Sequence, residues 1–303
     1  MSHLQPSTLF SVKGLVVVLT GGGSGLGRMM AHTLDANNAS KIFIIGRRIK
    51  ALQETIAQTP NANTAIIPIQ ADISSKESLE AAYKAIAAQT DHVDLLLANS
   101  GILGPNASPP PPNTDGSLPT LTQVRDRLWS VPMEDFTKVL DVNVTGAYYT
   151  VLAFLPLLEA ANKQRPVAVK NQVSAPTAQV IITTSIAGFN RKVPVSAAYN
   201  LSKAAANHLV KMLSTTLAFY DIRVNGIAPG IYLSEMSAQN FEEGDKGVSD
   251  GTFRREMIPL TRAGGEEDIA GLLLYMASAA GGYLNGNITI SDGGRLGNVQ
   301  ATY

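Results

Sequence analysis

Seven short apolar runs punctuate the chain, at residues 15–20, 41–46, 65–70, 93–98, 179–185, 222–228 and 287–291. Most are apolar at consecutive positions, as in "LVVVLT", "KIFIIG" and "VDLLLA", rather than at every second one. A strand with one wet face alternates, whereas a strand covered on both faces does not, so the pattern predicts buried parallel strands. Helix-length segments lie between them, such as "GLGRMMAHTLDANN" (25–38), "SKESLEAAYKAIAAQ" (75–89) and "SAAYNLSKAAANHLVKML" (196–213). Asp72-Ile73-Ser74-Ser75 reads as a capping region for the second of these. Sustained strand–helix alternation predicts right-handed crossovers and an α/β fold, a doubly wound parallel seven-stranded sheet with helices on both faces. Neither an internal repeat nor a linker divides the chain, which predicts a single domain over 1–303 with its core at 14–294.

Two segments break this rhythm. Residues 103–133 contain the run Pro109–Pro112, which must be extended and exposed, and residues 162–178 form a second irregular insertion. Either can shape a substrate mouth or decorate the surface. Trp129, the only tryptophan, sits near the end of the first and can touch substrate or anchor the loop by packing.

Composition narrows the classes of function. Lys+Arg and Asp+Glu stand at 24 each, which removes the electrostatic case for nucleic acid or an anionic membrane surface. No cysteine is present, so disulfides, thiolate nucleophiles and cysteine-ligated zinc are excluded. The four histidines, His3, His32, His92 and His208, are scattered without ligand spacing, and no metal site is expected. The N-terminal stretch lacks signal-peptide character, and the apolar runs are far shorter than the roughly 20 residues of a membrane span. These features predict a cytoplasmic protein without membrane or nucleic-acid partners.

The first strand breaks into Thr20-Gly21-Gly22-Gly23-Ser24-Gly25-Leu26-Gly27 before a helix. Glycines 21, 25 and 27 let the backbone turn sharply and bring N–H groups close to a pyrophosphate, which the positive end of the helix also attracts. A glycine cluster after an apolar run also serves as a plain turn; its place at the start of a βαβ series favours the phosphate loop. The second strand ends in Gly46-Arg47-Arg48, where a cofactor with a free ribose 2′-hydroxyl wants an acid. Two guanidiniums suit a 2′-phosphate, so NADP(H) is expected over NAD(H), although an ordinary basic helix start reads the same.

Tyr199 and Lys203 stand four residues apart on one helix face. A nearby ammonium favours phenolate, and lowering a phenol by about three pKa units takes roughly 4 kcal/mol. Such pairs also occur on solvated helix faces, but Ser185 ends the strand "QVIITTS" at the sheet edge where ligands bind.

Taken together, these residues resemble the short-chain dehydrogenase/reductase family, from Val16 to about Gly294. The cofactor motif stands at Gly21, Gly25 and Gly27, with Gly23, Ser24 and Leu26 between them; an acid, Asp72, follows the third strand. Ala98-Asn99-Ser100-Gly101 takes the place of Asn-Asn-Ala-Gly, and Asn143, Ser185, Tyr199 and Lys203 fill the catalytic positions. Pro229-Gly230 matches the proline–glycine segment, with Ser234 where threonine is usual. The resemblance implies that Tyr199 is the general acid in reduction and the base in oxidation. Lys203 lowers its pKa and holds the nicotinamide ribose, Ser185 binds the substrate oxygen, and Asn143 fixes a water leading to solvent. It places Asp72 and Ile73 at the adenine, Asn99, Ser100 and Gly101 at the adenosine side, and Tyr232 and Ser234 at the carboxamide or phosphate. It also implies a lid at 231–265, a small-molecule carbonyl or alcohol substrate, and a homodimer or homotetramer built through the Tyr199 helix.

The interval from Gly101 to Asn143 is longer than the family pattern by about twenty residues, a length typical of functional or disordered loops. The insertions are similar to those in reductases of fungal secondary metabolism and in β-ketoacyl reductases. The expected activity is NADPH-dependent hydride transfer between a ketone and a secondary alcohol. The alternatives are a non-redox step, such as cyclisation or dehydration, on the same fold, and a non-catalytic NADP(H)-binding protein.

Overall fold

The computed structural model describes residues 2–59, 65–242 and 244–302, without the side chain of Gln239; residues 1, 60–64, 243 and 303 of the expected domain and lid lie outside the described residues. Strands β1 (Val16–Thr20), β2 (Lys41–Gly46), β3 (Ala65–Gln70), β4 (Leu95–Ala98), β5 (Gln179–Thr183), β6 (Arg223–Pro229) and β7 (Ile288–Ser291) form one sheet. Their order is β3-β2-β1-β4-β5-β6-β7, and every neighbouring pair is parallel. All seven expected strands are present, with ends within two residues of the apolar runs. The helices are α1 (Pro6–Leu9), α2 (Gly25–Ala36), α3 (Ile49–Ala57), α4 (Lys76–Ala87), α5 (Leu121–Trp129), α6 (Met133–Leu140), α7 (Ala147–Lys163), α8 (Ala197–Thr216) and α9 (Glu266–Ala277).

β1, β4, β5 and β6 are buried along their whole length, which is why their sequences do not alternate. Successive strand residues point to opposite faces, and two cores result. On one face Val18, Phe43, Leu96, Val180 and Val224 pack against Val151, Phe154 and Leu158 of α7 and Val210 of α8. On the other, Val17, Leu19, Ile44, Ile181 and Ile227 meet Met30 and Leu34 of α2 and Ile269 and Leu273 of α9. From β1 the chain runs outward to β2, while β4 enters on β1's other side. The crevice at their carboxyl ends is the switch point where such sheets bind ligands.

Two sequence expectations need correction. The insertion 103–133 is not wholly irregular, because α5 lies within it. Thr120 Oγ1 accepts from Gln123 N at 3.3 Å while Gln123 Oε1 accepts from Thr120 N at 2.8 Å, a capping box that the neighbouring prolines obscured. α5 buries none of its residues; Trp129 is 74% exposed, with the Arg125 guanidinium 4.8 Å from its ring centroid. Residues 164–178 carry neither helix nor strand. The second correction concerns helix length. α6 and α7 join through a π-helical turn, Asp141–Gly146, into a stretch from Met133 to Lys163 that is long and apolar enough to cross a membrane by length and composition. Here its Val139, Val151, Phe154 and Leu158 are fully buried within the protein.

Phe154 is in the core and Leu121 is 83% exposed on α5. Phe154→Ala is expected to lower stability by about 3–5 kcal/mol. Leu121→Ala should change it by less than about 0.5 kcal/mol. Urea unfolding of the two variants checks both.

Candidate active site

The carboxyl ends of β1, β2, β4, β5 and β6 open into one cleft of ≈ 640 Å³. The expected catalytic and cofactor-binding residues border it except Asn143, which supports it from behind, and Trp129 is not among its lining residues.

Its floor is tied by side chains at the strand ends. Thr20 Oγ1 accepts from the N–H groups of Asn99 and Ser100 at 3.0 and 3.1 Å. Asn99 Nδ2 donates to Thr20 O at 3.2 Å, and its Oδ1 accepts from Thr183 Oγ1 at 3.0 Å. Asn99 thus braces β1, β4 and β5. Gly27 admits no side chain, since a Cβ there would lie 2.1 Å from Gly21 O. Gly25, at φ +51°, lets Ser234 approach to within 2.9 Å of where its Cβ would be. The N-cap Ser24 makes no side-chain cap, so the first-turn N–H groups of α2 face the cleft without intrahelical acceptors. This cradle fits a dinucleotide pyrophosphate by its shape and by its donors.

At the β2 and β3 ends, Arg47 and Arg48 reach the cleft together with Asp72 and Ile73. The Asp72 carboxylate accepts from Ser74 N and Oγ at 2.9 and 2.6 Å, and these bonds, led by the hydroxyl, hold it below its usual range. Ile73 packs with Leu79 and Val142. Arg48 Nη2 lies 2.7 Å from Glu235 Oε2 and 3.4 Å from Ser24 Oγ. Glu235 escaped sequence reasoning because it stands 187 positions from Arg48, with no motif linking the two.

The chemical corner lies at the start of α8, where Ser196 Oγ caps Tyr199 N at 3.4 Å. Tyr199 and Lys203 share one face, with Lys203 Nζ 5.8 Å from the Tyr199 ring centroid. Lys203 is buried and donates to Thr183 O at 2.8 Å; burial pulls its pKa down to about 8. The Tyr199 phenol does not follow the expected lowering. Burial pushes it up, and its hydrogen bond with Ser185 opposes that rise. Ser185 Oγ also accepts from Ala187 N at 3.1 Å, which fixes it at the head of a short helical turn. Asn143, on the π-helical turn, accepts from Ile102 N at 2.8 Å and donates to Ile102 O and Ser202 Oγ at 2.9 Å each. A Cβ on Gly101 would sit 3.1 Å from Asn143 Oδ1 and 3.5 Å from Lys203 Nζ, so that glycine leaves room between them.

Pro229 and Gly230 end β6 at the cleft, and the chain then passes over it. The Tyr232 hydroxyl is 2.5 Å from Ser291 Oγ, and its ring fills the space of the side chain Gly264 lacks. Ser234 Oγ lies 3.0 Å from Ser237 Oγ. The Tyr232 hydroxyl is therefore committed to the sheet edge, while Ser234, Glu235, Met236 and Asn240 of this segment line the cleft. Among the described residues no three His, Cys, Asp or Glu side chains gather as metal ligands.

A parallel switch-point crevice with a glycine-lined helix start and a buried tyrosine–lysine pair defines a dinucleotide-fold oxidoreductase site. The chain belongs to the short-chain dehydrogenase/reductase family: the family profile described as short chain dehydrogenase matches residues 15–245. The short-chain dehydrogenase/reductase PhomF of Diaporthe leptostromiformis is 41% identical over 309 residues, covering 100% of this chain and 99% of that protein. The rhamnolipids biosynthesis 3-oxoacyl-[acyl-carrier-protein] reductase of Pseudomonas aeruginosa is 30% identical, covering 94% and 97%. Among solved structures, the Pseudomonas aeruginosa RhlG/NADP active-site complex aligns with a TM-score of 0.76 at 29% identity, over 97% of this chain and 100% of that one.

Lys203 carries a depressed pKa in the folded protein, so its effect on stability depends on pH. Below about pH 8 it is charged both folded and unfolded, and the full burial penalty stands. Between about 8 and 10.5 the folded state has already lost the proton, so stability rises with pH through that window. Lys203→Met should therefore show its most favourable stability relative to wild type below pH 8. That difference should fall by roughly 3 kcal/mol by pH 10.5, as read by urea unfolding across the range.

Proposed function

We propose that this protein is an NADPH-dependent reductase of small-molecule ketones, running as a secondary-alcohol dehydrogenase in reverse. The observation that carries the reading is the meeting of Tyr199, Ser185 and Lys203 in one buried corner of the cleft. NADPH, when bound, supplies the hydride from its nicotinamide. Ser185 Oγ donates to the carbonyl oxygen, and the Tyr199 hydroxyl gives that oxygen its proton as negative charge develops there. Burial raises the phenol, so it is protonated at neutral pH, the form a general acid needs. Lys203, anchored on Thr183 O, places a cation below the ring and stabilises phenolate once the proton has left. Asn143 holds the Ile102 backbone and Ser202 in register beside Lys203, and in this reading water reaching Lys203 would restore the proton.

The NADP(H) assignment rests on Arg47 and Arg48 at the end of β2, with the α2 N-terminus holding the pyrophosphate. In this reading Asp72 and Ile73 would hold the adenine, Asn99 to Gly101 the adenosine side, and the segment at Tyr232 and Ser234 the carboxamide or phosphate, all of them residues that line the cleft. The NADP complex of the Pseudomonas aeruginosa protein supports this choice. A ketone substrate accords with the 3-oxoacyl reductase relative, and a place in secondary metabolism with the sequence character of the insertions. The reading includes a cytoplasmic protein of one domain that forms a homodimer or homotetramer, supported by the exposed Leu152 of α7 and Leu201 and Met212 of α8.

Tyr199→Phe should lower kcat for ketone reduction by about 10²–10⁴-fold, the range of general acid catalysis, while NADPH affinity stays within a few-fold. NADPH absorbance with a ketone panel, alongside a binding titration, checks this. Equal turnover in the two proteins refutes the role of Tyr199.

A further inference from the structure

Arg48, one of the two guanidiniums at the end of β2, already has an anionic partner. Its Nη2 is 2.7 Å from the Glu235 carboxylate, and both side chains are more than half exposed. The acid comes from the segment beyond β6. Ser234 packs over the missing side chain of Gly25, and Ser237 Oγ bonds both Ser234 N, at 3.0 Å, and Tyr232 O. These contacts carry the neighbouring Glu235 over the glycine loop to the end of β2. The other charges close by are Glu54, on α3, and Arg28, which pair with each other at 3.3 Å.

We infer that Glu235 is a cofactor-specificity residue: by holding Arg48, it competes with a 2′-phosphate and narrows the preference of this protein for NADP(H) over NAD(H). This rests on the NADP(H) reading above. A 2′-phosphate arriving at Arg48 must displace the carboxylate or sit beside it against like charge. A 2′-hydroxyl meets no such repulsion and can donate to the same carboxylate. Because the pair is exposed, the competition is modest and weakens with salt. Sequence alone placed two arginines and no acid here, so the acid that tempers them arrives only through the fold.

The test is fluorescence titration of NADP⁺ and NAD⁺ with wild type, Glu235→Gln, Arg48→Gln and the double variant. Glu235→Gln should tighten NADP⁺ by about three- to fivefold and leave NAD⁺ within about twofold. In the Arg48→Gln background the same change should leave the NADP⁺/NAD⁺ ratio unaltered, because no guanidinium remains to release. Should Arg48→Gln weaken NADP⁺ selectively while Glu235→Gln does nothing, the cofactor reading stands and this inference fails. Should Arg48→Gln leave the ratio of the two affinities unchanged, this inference fails and the cofactor reading falls to Arg47; should wild type bind NAD⁺ as tightly as NADP⁺ and Glu235→Gln leave that unchanged, both fail. Weaker NADP⁺ binding in Glu235→Gln also overturns the inference, because it makes the carboxylate an aid to the phosphate rather than a rival.

Discussion

A parallel strand cannot turn directly back on its neighbour. Each connection must cross a face of the sheet, so both faces are covered and all strands end at the same edge. In this protein the rest follows from that constraint. β1, β4, β5 and β6 are wholly buried and offer water nothing along their length. Their carboxyl ends are where the backbone opens, and Gly21, Asn99, Ser185 and Gly230 stand there together although the sequence scatters them. The reversal of strand order at β1 and β4 makes the opening a crevice rather than a rim.

Within the crevice, burial sets the chemistry. Lys203 is met by a carbonyl rather than a carboxylate, and burial without an opposite charge beside it brings its pKa down to about 8. The same dry environment raises the Tyr199 phenol. Two neighbouring groups are thus each pushed toward their neutral forms, a donor phenol above a cation near its titration point. In the proposed reaction, charge developing on a substrate oxygen in this corner would meet both in low dielectric, where each is worth more than in water. Asn143 serves the corner from outside the cleft. It ties Ile102, where the chain leaves β4, to Ser202 beside Lys203, and the π-helical turn sets its position.

Much of this was legible in the chain. Consecutive apolar positions located all seven strands, because burial on both faces leaves its mark on every residue. Tyr199 and Lys203 were legible from their spacing on one helix face, the glycines and Ser185 from their places at strand ends, and the family resemblance joined them into one site. What the sequence hid depends on contacts across long separations. Glu235 reaches Arg48 only through the path of the segment after β6, and the Tyr232 hydroxyl bonds Ser291 at the far edge of the sheet. The direction of the Tyr199 shift was misjudged because proximity of Lys203 was visible and the depth of burial was not. α5 lay unseen beside a proline run that masked its Thr120–Gln123 cap.

The central claim is that this crevice carries a hydride from NADPH to a ketone carbon while Tyr199 protonates the oxygen. Incubating the protein with a ketone substrate and NADPH deuterated at both C4 positions, then reading the product by mass spectrometry, tests it most directly. The account predicts a secondary alcohol with one deuterium on its carbinol carbon. A product at the oxidation level of the starting ketone, or an alcohol without deuterium, contradicts it.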